Sequence, residues 1–508
     1  MGGAVHEPAR TGAFRRPPGV STTVLAVILA ITAGTLAALL WYRGPGGRAS
    51  ADSSVAVLPF ASRGADPARE GIAAGLAEEV HAALARVEGL RVVGRTSSAS
   101  FKDRKSTATE IGRELGVGAV LDGSVRRSGS RLRITAQLVN AGDGYQIWAR
   151  EFDRELTDVF AVQDEIARSV VGALQVKLLP GRAPTTREYR TEVPEAYNQY
   201  LLALHAFNAG DEAGMRRAAE GYERATRLDP GFAPAWAGLA SALGWLAYQQ
   251  QDPQAAATTR EGARQAAERA VQIDPDLPEG LAARGTLRAI INRDWDGARA
   301  DFEQALAVKP GDAPTQRRFG TFILASVGRL PDAIGAVRTA TEIDPLFTHA
   351  WADLGMLQVA SGQLEAGEQS LQRALEMAPR HSYAGSTLVV KHVLAGQGAR
   401  ALAAAGRIDN PIFRLHGKAL AENALGNGPE ARAALDALVA AHADGAAFQI
   451  AEVLAESGDA DGAFRWLDRA WAQQDAGLVH LKYAPMLRRI RGDPRYRDLL
   501  GRMKLPLD

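Results

Sequence analysis

Cysteine is absent from this chain of 508 residues. Its absence excludes disulfides, thiolate metal sites and cysteine nucleophiles, and it leaves the redox compartment open. An excess of one charge is also lacking, since 59 basic residues face 58 acidic ones. No bulk field therefore gathers nucleic acid or another polyanion. The length suggests roughly two to four folding units.

Familiar catalytic signatures are missing too. The sequence has no phosphate-binding P-loop, no dinucleotide fingerprint after a strand, no His-Glu-x-x-His and no Gly-x-Ser-x-Gly. The nine histidines are scattered, and His381 and His392 form the closest pair in the carboxy-terminal half. Eleven residues apart on predicted helices, they favour surface or packing roles over metal ligation. We expect a non-enzymatic protein without catalytic residues, cofactor or metal.

One long uncharged stretch stands near the amino terminus, from Thr22 to Tyr42. A helix of this length spans about 30 Å, the thickness of a bilayer core. The alternative is a cleaved signal peptide, because Ala49-Ser50-Ala51 has the form of a cleavage site. The stretch exceeds the usual 7–15 residues of such a peptide, which favours a transmembrane helix at 22–42.

Arginines flank this helix unevenly and predict its orientation. Three precede it within the short tail 1–21, and Arg43 and Arg48 follow it. The positive-inside rule places the tail in the cytoplasm and, in a bacterial cell, the bulk of the chain in the periplasm. The span would lie in the inner membrane.

Small residues recur every four positions within the predicted span, so they share one helix face. They are Ala26, Ala30, Gly34 and Ala38. Such a face lets two membrane helices approach closely and form a homodimer. The alternative is that alanine is common throughout this sequence.

A flexible linker at 43–54 leads into a predicted α+β domain at 55–179, with the order βαβαβββα. Val55 to Phe60 is a short apolar run typical of a buried strand. Residues 68–86 carry apolar positions every four residues, as an amphipathic helix does. Residues 131–138 alternate, with Leu132 and Ile134 on one face and Arg131 and Arg133 on the other.

The string from VAVLPF through GLRVVGRTSSASFK to GAVLDGSVRRSGSRLRITAQLVN and YQIWAREFDREL resembles the TolB-like amino-terminal domain. In many bacterial regulators that domain lies between a membrane anchor and tetratricopeptide repeats. Relatives include membrane-anchored transcriptional regulators and adenylate-cyclase-associated proteins. The resemblance covers about 125 residues and implies no catalytic residue.

Four arginines cluster in the predicted hairpin of this domain. They are Arg126, Arg127, Arg131 and Arg133. The cluster is a candidate contact for an acidic partner or lipid headgroups. The alternative is the solvated face of an exposed hairpin.

After a linker at 180–194, the segment 195–475 repeats itself. Prolines at 230, 275, 310, 345 and 379 are spaced by 45, 35, 35 and 34 residues. A period near 34 is typical of the tetratricopeptide repeat, and Trp351-x-x-Leu354-Gly355 matches its first-helix signature. We expect an all-α superhelix of about seven or eight hairpins, closed by a terminal helical cap at 476–508.

Stacked hairpins leave a concave groove lined by their first helices, which suits an extended peptide or a partner helix. Six side chains on those helices are candidate groove residues. They are Tyr200, Trp236, Arg288, Arg317, Phe319 and Gln358. Inter-repeat packing is the alternative for each of them.

The predicted function is a membrane-anchored scaffold or sensor that binds a protein or peptide partner in the repeat groove. Only about twenty residues precede the predicted span, so we expect no cytoplasmic output domain in this chain. The alternative is a regulatory subunit, or truncated one-component regulator. It would act with a separate output protein such as a winged-helix transcription factor or an adenylate cyclase.

Overall fold

The computed structural model describes residues 2, 54–62, 67–85, 87, 89–102, 104–128, 131–155, 159–174, 191–208, 211–250 and 253–507. The predicted membrane helix, its small-residue face and both linkers, apart from Ser54 and residues 191–194, lie outside them. Among the described residues, no helix is both long enough and apolar enough to cross a membrane.

A small α/β region comes first. Its strands are β1 (Ser54–Val57), β2 (Ala61–Ser62), β3 (Arg91–Val92), β4 (Ala119–Ser128), β5 (Arg131–Asn140) and β6 (Gln146–Glu155). Its helices are α1 (Pro67–Ala85), α2 (Arg95–Ala99), α3 (Ala108–Leu115) and α4 (Val159–Ala173). The short elements β2 and α2 are additions to the predicted order.

The six strands form one mixed sheet in the order β3-β1-β4-β5-β6, with β2 beside the far half of β4. Strand β1 is parallel to β3 and β4, while β4, β5 and β6 form an antiparallel meander. A register shift between Leu138 and Val139 adds an irregularity to the β5–β6 pair. One edge of the sheet is therefore a long strand, β6.

The alternation in β5 divides the sheet into a buried and a solvated face, as predicted. Leu132, Ile134, Ala136 and Leu138 are buried, and the residues between them are exposed. The buried face packs under α1 and α4 in one apolar cluster. That cluster also contains Tyr197 and Leu201 of the first repeat, so the α/β region and the repeats share a core.

Eight helical hairpins follow within the described residues, and each has a first and a second helix. The first helices are α5 (Pro194–Asn208), α7 (Ala233–Gln249), α9 (Pro278–Leu287), α11 (Ala313–Arg318), α13 (Thr348–Ala360), α15 (Ser382–Leu394), α17 (Pro411–Leu425) and α19 (Ala447–Ser457). The second helices are α6 (Glu212–Leu228), α8 (Pro253–Ile273), α10 (Trp295–Val308), α12 (Leu330–Ile343), α14 (Leu364–Met377), α16 (Gly398–Ala405), α18 (Gly428–His442) and α20 (Ala460–Gln473). Helices α9 and α11 continue as π-helical turns, Arg288–Asn292 and Phe319–Leu324.

Glycine on a first helix meets a large side chain on a second helix. A Cβ at Gly355 would lie 2.6 Å from Cγ of Leu371, and one at Gly320 would lie 2.6 Å from a methyl of Val337. Both Leu371 and Val337 are fully buried. The glycine of the repeat signature thus lets the two helices of a hairpin pack closely.

The chain ends with a segment that is called here the C-terminal segment, residues 476–507. It contains two 3₁₀ turns, Ala476–His480 and Pro485–Ile490, and helix α21 (Pro494–Arg502). Its apolar side chains are almost all buried, among them Leu481, Met486, Leu487 and Met503, each at 0% exposure. The segment contacts the last hairpin, where Arg495 binds Asp461 and Arg502 binds Asp468, and it also packs back against earlier repeats. Its role as the expected terminal cap stays a prediction.

Candidate partner-binding surfaces

The C-terminal segment lies against the first helices of the middle repeats. Met486, Leu487 and Met503 belong to the same apolar cluster as Ala289 and Ile323. The segment's Tyr483 packs in a second cluster with Leu324, Leu354 and Leu357. The surface predicted to receive a peptide is therefore filled here by the chain itself.

Side chains of the array bind the main chain of this segment. Nε1 of Trp295 donates to the carbonyl of Met503 at 2.8 Å, and Oγ of Ser326 donates to the carbonyl of Val479 at 2.9 Å. Both donors are buried, where an unmade hydrogen bond is costly. These contacts fix the position of the segment independently of its side chains.

The last hairpin also contacts the second and third hairpins. The Arg293 guanidinium lies 4.8 Å from the ring centroid of Trp471, within the range of cation–π attraction. Arg260 of α8 hydrogen bonds to Gln474, just after α20. The array therefore closes on itself around the C-terminal segment.

Two candidate groove residues, Tyr200 and Trp236, are engaged within the chain. The Tyr200 ring lies 5.1 Å from that of Phe232, and its hydroxyl donates to Glu79 on α1 at 3.2 Å. Trp236 is half-buried, and its Nε1 donates to the carbonyl of Pro230 at 3.1 Å. The Nε1 of Trp351 makes the same bond to Pro345 at 2.9 Å, so this is a repeated structural contact.

Arg288 and Arg317 each pair with a buried aspartate. A terminal nitrogen of Arg288 lies 3.0 Å from Asp301, which also binds Arg284 at 2.6 Å. A terminal nitrogen of Arg317 lies 2.6 Å from Asp353. Both aspartates are almost fully buried. A buried carboxylate needs a partner of opposite charge, and the arginine supplies it in each case.

The remaining two candidates are covered. Phe319 stacks on Phe302 at 5.8 Å and packs against the cluster that contains the C-terminal segment. Gln358 is 5% exposed, and its amide oxygen accepts from Ser370 at 2.7 Å. A role for any of the six residues in binding a partner stays a prediction. Position on a first helix did not distinguish side chains facing a groove from side chains paired within the chain.

Burial favours the neutral form of two histidines, His480 and His349. Burial lowers the pKa of His480, although the carboxylates of Glu452 and Asp353 raise it in part. Burial, and after it the Arg317 cation, lowers the pKa of His349 to about 4. The Nδ1 of His480 lies 2.7 Å from the Tyr483 hydroxyl, and the two rings contact each other edge to face.

The α/β region contacts the loop that follows the second helix α12. Asp344 is 1% exposed and accepts from the backbone N–H groups of Thr96 at 3.0 Å and Ser97 at 2.8 Å, the first turn of α2. It also binds the Ser97 hydroxyl, which in turn accepts from the N–H of Leu346 at 2.8 Å. An aspartate of the repeat thus caps a helix of the other region. The sequence does not indicate this contact, because an Asp-Pro pair is typical of an ordinary boundary between repeats.

Two of the four arginines in the predicted basic hairpin patch pair with the neighbouring strand. Arg131 and Arg133 each lie 2.9 Å from Asp153 on β6, and Arg133 also lies 3.1 Å from Glu151. The pairing with Arg133 and Arg131 lowers the pKa of Asp153. Arg126 is exposed beside Arg133, while the side chain of Arg127 is outside the described structure. A role for the patch in binding a partner stays a prediction.

In the part of the chain that the structure describes, no group of three or more His, Asp and Glu side chains is placed to hold a metal ion. The buried carboxylates of Asp301, Asp353 and Asp344 are bound by arginines or backbone donors. Their arrangement serves packing between elements.

Comparison with known proteins supports the repeat assignment. Residues 348–381 match the tetratricopeptide repeat, so the chain contains at least one such repeat. Among solved structures, PilW, a widely conserved type IV pilus biogenesis factor, is similar with a TM-score of 0.35 and 22% identity over 40% of this chain and 93% of that one. YrrB, a repeat protein with an unusual peptide-binding site, gives a TM-score of 0.26 and 20% identity over 37% of this chain and 89% of that one.

A curated protein of Rhizobium meliloti (strain 1021), named "Putative adenylate cyclase 3", is 42% identical over 193 residues. The aligned part is 37% of this chain and 32% of that protein. The chain thus spans about a third of the length of this relative.

Proposed function

We propose that this chain is a non-enzymatic scaffold or sensor that binds polypeptide partners through its repeats. The proposal rests on the way in which the repeat array binds the C-terminal segment. Side chains of the array donate to its main-chain carbonyls at Met503 and Val479, and apolar pockets take its side chains. This is the chemistry by which a repeat surface recognises another chain.

The partner would engage first-helix surface that the C-terminal segment leaves exposed. Ile290, two residues beyond Arg288, is 38% exposed and lies in the π-helical turn after α9. An exposed aliphatic side chain on a first helix can add apolar contact to a partner at low cost.

Affinity capture tests the scaffold. The full chain in mild detergent is used as bait on extracts of its own host, beside an unrelated repeat array of similar length. We expect at least one protein enriched on the chain and absent from the control, and we expect it to bind the purified chain directly. A capture profile equal to that of the control would contradict the proposal.

The anchor and its orientation are a further part of the proposal. They are supported by the uncharged stretch at 22–42 and by the arginines before it. Reporter fusions after Ser54 and after Asp508 test this topology. We expect a periplasmic alkaline phosphatase reporter to be active at both sites, whereas activity of a cytoplasmic reporter at both would refute the orientation.

A regulatory subunit is the second candidate function, and the identity to the relative named "Putative adenylate cyclase 3" favours it. In that case the chain would modulate a separate cyclase. Cyclic AMP is measured with the purified chain alone, with a separately encoded host cyclase alone, and with both. An activity that changes only when the two are combined would support this role, and an additive result would contradict it.

A further inference from the structure

The α/β region exposes a small apolar patch where β6 begins. Tyr145, just before the strand, is 75% exposed, and Ile147 is 40% exposed. Trp148 is half-buried beside them, and Ala149 is exposed. Single exposed apolar side chains are ordinary on a protein surface, but neighbouring ones indicate a contact with another surface. This surface is called here the β6 patch, residues 145–149.

The backbone of the β6 patch does not suit pairing with a further strand. Leu138 of β5 pairs with Trp148 and Val139 pairs with Gln146, so Ile147 is an extra residue on β6. A bulge of this kind interrupts the ladder and protects a sheet edge. Residues 150–155 protect the rest of the edge with five charged side chains. The patch therefore suits a contact that needs no ladder of hydrogen bonds.

The turn before β6 satisfies its own main chain. The N–H of Gly144 donates to the carbonyl of Asn140 at 2.9 Å, and the N–H of Asn140 donates to the carbonyl of Tyr145 at 2.8 Å. The N–H of Tyr145 donates to the carboxylate of Asp143 at 2.9 Å. Little main-chain desolvation therefore opposes contact with a less polar medium. Asp143 itself is exposed and charged, which limits such contact to a hydrated zone.

The chain enters the α/β region at the same end of the sheet as the β6 patch. Val55 of β1 pairs with Ala119, the first residue of β4. Asn140, the last residue of β5, pairs with Ala119 as well. Gln146, the first residue of β6, pairs with Val139. Three strand spacings separate β1 from β6, so the patch lies about 15 Å from the start of β1.

The predicted membrane helix ends at Tyr42, and β1 begins at Ser54. A flexible linker of this length, as predicted for residues 43–54, has a root-mean-square length of about 20 Å. That length is similar to the distance between β1 and the patch. The opposite end of the ten-residue strand β4 lies about 33 Å further away. The β6 patch is therefore at the end of the sheet that lies nearer to the predicted anchor.

We propose that the β6 patch rests in the headgroup zone of the membrane that the predicted helix at 22–42 spans. The inference depends on the anchor, which is itself part of the proposed function. Tyr145 and Trp148 combine an apolar ring with a polar group, and such side chains favour the headgroup zone. Ile147 adds apolar area at the boundary with the acyl chains. The contact would hold the α/β region at the membrane surface.

The opposite end of the sheet does not offer such a surface. Arg131 and Arg133 lie there, paired with Asp153 of β6 at 2.9 Å. Arg126 is exposed beside them. Charged pairs of this kind are at home in water and gain nothing from an apolar boundary. The two ends of one sheet thus differ in the medium that they suit.

The absence of cysteine allows one spin label to be placed at a time. A nitroxide is attached to Tyr145→Cys, or to Arg126→Cys as the control, in the full chain reconstituted into phosphatidylcholine nanodiscs. Electron paramagnetic resonance measures collisions of the label with oxygen, which concentrates in lipid, and with a nickel chelate, which stays in water. We expect an oxygen-to-nickel ratio several times higher at position 145 than at position 126. Equal ratios would overturn the proposal.

A label at Ala30→Cys, within the predicted span, distinguishes failure of this inference from failure of the anchor. We expect the highest oxygen-to-nickel ratio at position 30. A lipid-like ratio at 30 with a water-like ratio at 145 would contradict the contact and leave the anchor standing. Water-like ratios at both positions would contradict the anchor and the contact together.

A second pair of variants tests the apolar character of the contact in the chain labelled at position 145. Ile147→Asp adds a charge to the β6 patch, and Val308→Asp adds one to an aliphatic residue of similar exposure, 37%, in the repeats. We expect Ile147→Asp to lower the ratio at 145 by about twofold or more, and Val308→Asp to leave it unchanged. Circular dichroism confirms that each variant is folded. Equal ratios in the two variants would contradict a contact made through Ile147.

Discussion

At the scale of single residues, some glycines of the repeats are required for close helix packing and others are not. Gly355 on α13 faces Leu371 at a distance that excludes a Cβ. Gly335 lies within α12, and a Cβ built there meets nothing within 4 Å. Replacing glycine by alanine is therefore expected to change the stability of the chain in opposite directions at the two positions.

We predict that Gly355→Ala destabilises the chain by about 1–3 kcal/mol, because the added methyl overpacks the contact between two helices. Gly335→Ala should stabilise it by about 0.5–1 kcal/mol, because alanine loses less conformational entropy in a helix. Urea unfolding followed by circular dichroism measures both. Equal effects of the two substitutions would show that the close approach of α13 and α14 is not needed.

The buried histidines lead to a prediction about how stability depends on pH. Burial lowers the pKa of His480 and of His349, so the folded chain keeps both imidazoles neutral. The unfolded chain protonates them near pH 6.5. Below that pH the unfolded state binds more protons, and stability falls as the pH drops from 6.5 towards 4.

We therefore expect a lower urea midpoint at pH 5.5 than at pH 7.5, and a smaller difference between the two in His480→Gln. The interval lies above the titration of ordinary carboxylates, so they contribute little to the change. A midpoint that stays constant or rises on acidification would contradict the neutral state of these side chains.

At the scale of elements, Asp344 joins the repeat array to the α/β region. Replacing it by alanine leaves the buried N–H groups of Thr96 and Ser97 without their acceptor. We predict that Asp344→Ala destabilises the chain by about 2–3 kcal/mol and exposes 191–208 to proteolysis. Asp332→Ala is the control, because its pair with Arg329 is exposed and should change stability by under about 0.5 kcal/mol.

An equal protease sensitivity of the two variants would show that this contact does not hold the two regions together. Denaturant unfolding and limited proteolysis are read on the same preparations. A loss of stability without new cleavage at 191–208 would show that the substitution destabilises the repeat itself and leaves its contact with the α/β region intact.

Local pattern predicted the elements that have a strong periodicity. The alternation of Leu132 and Ile134 identified β5, and the spacing of the prolines set the phase of the hairpins. The short β2 and α2 have too few residues to show a period. The docking of Asp344 and the return of Met503 to Trp295 join residues far apart in the chain, and such contacts leave no periodic signal.

At the scale of the whole molecule, the C-terminal segment converts an open stack into a closed one. Each of its buried apolar side chains contributes about 1.5–3 kcal/mol when it is removed from water, and the entropy cost of ordering the segment offsets part of that gain. We expect the segment to stay bound in the folded chain.

We predict that a chain shortened after Gln474 loses its cooperative unfolding transition and aggregates, because the first helices of the middle repeats become exposed. The matched control ends after Leu505, which keeps the buried residues of α21. Calorimetry and light scattering distinguish the two. A shortened chain that melts cooperatively at the native temperature would show that the segment is accessory and that the inner face can open.

Photo-crosslinking in cells tests whether the repeats bind a polypeptide partner. A benzophenone amino acid is placed at Ile290, 38% exposed on a first helix, or at Val308, 37% exposed at the end of a second helix. In living cells of the host, we expect a discrete protein adduct from position 290 and none from position 308. Adducts of equal yield from both positions, or from neither, would contradict binding by the repeats.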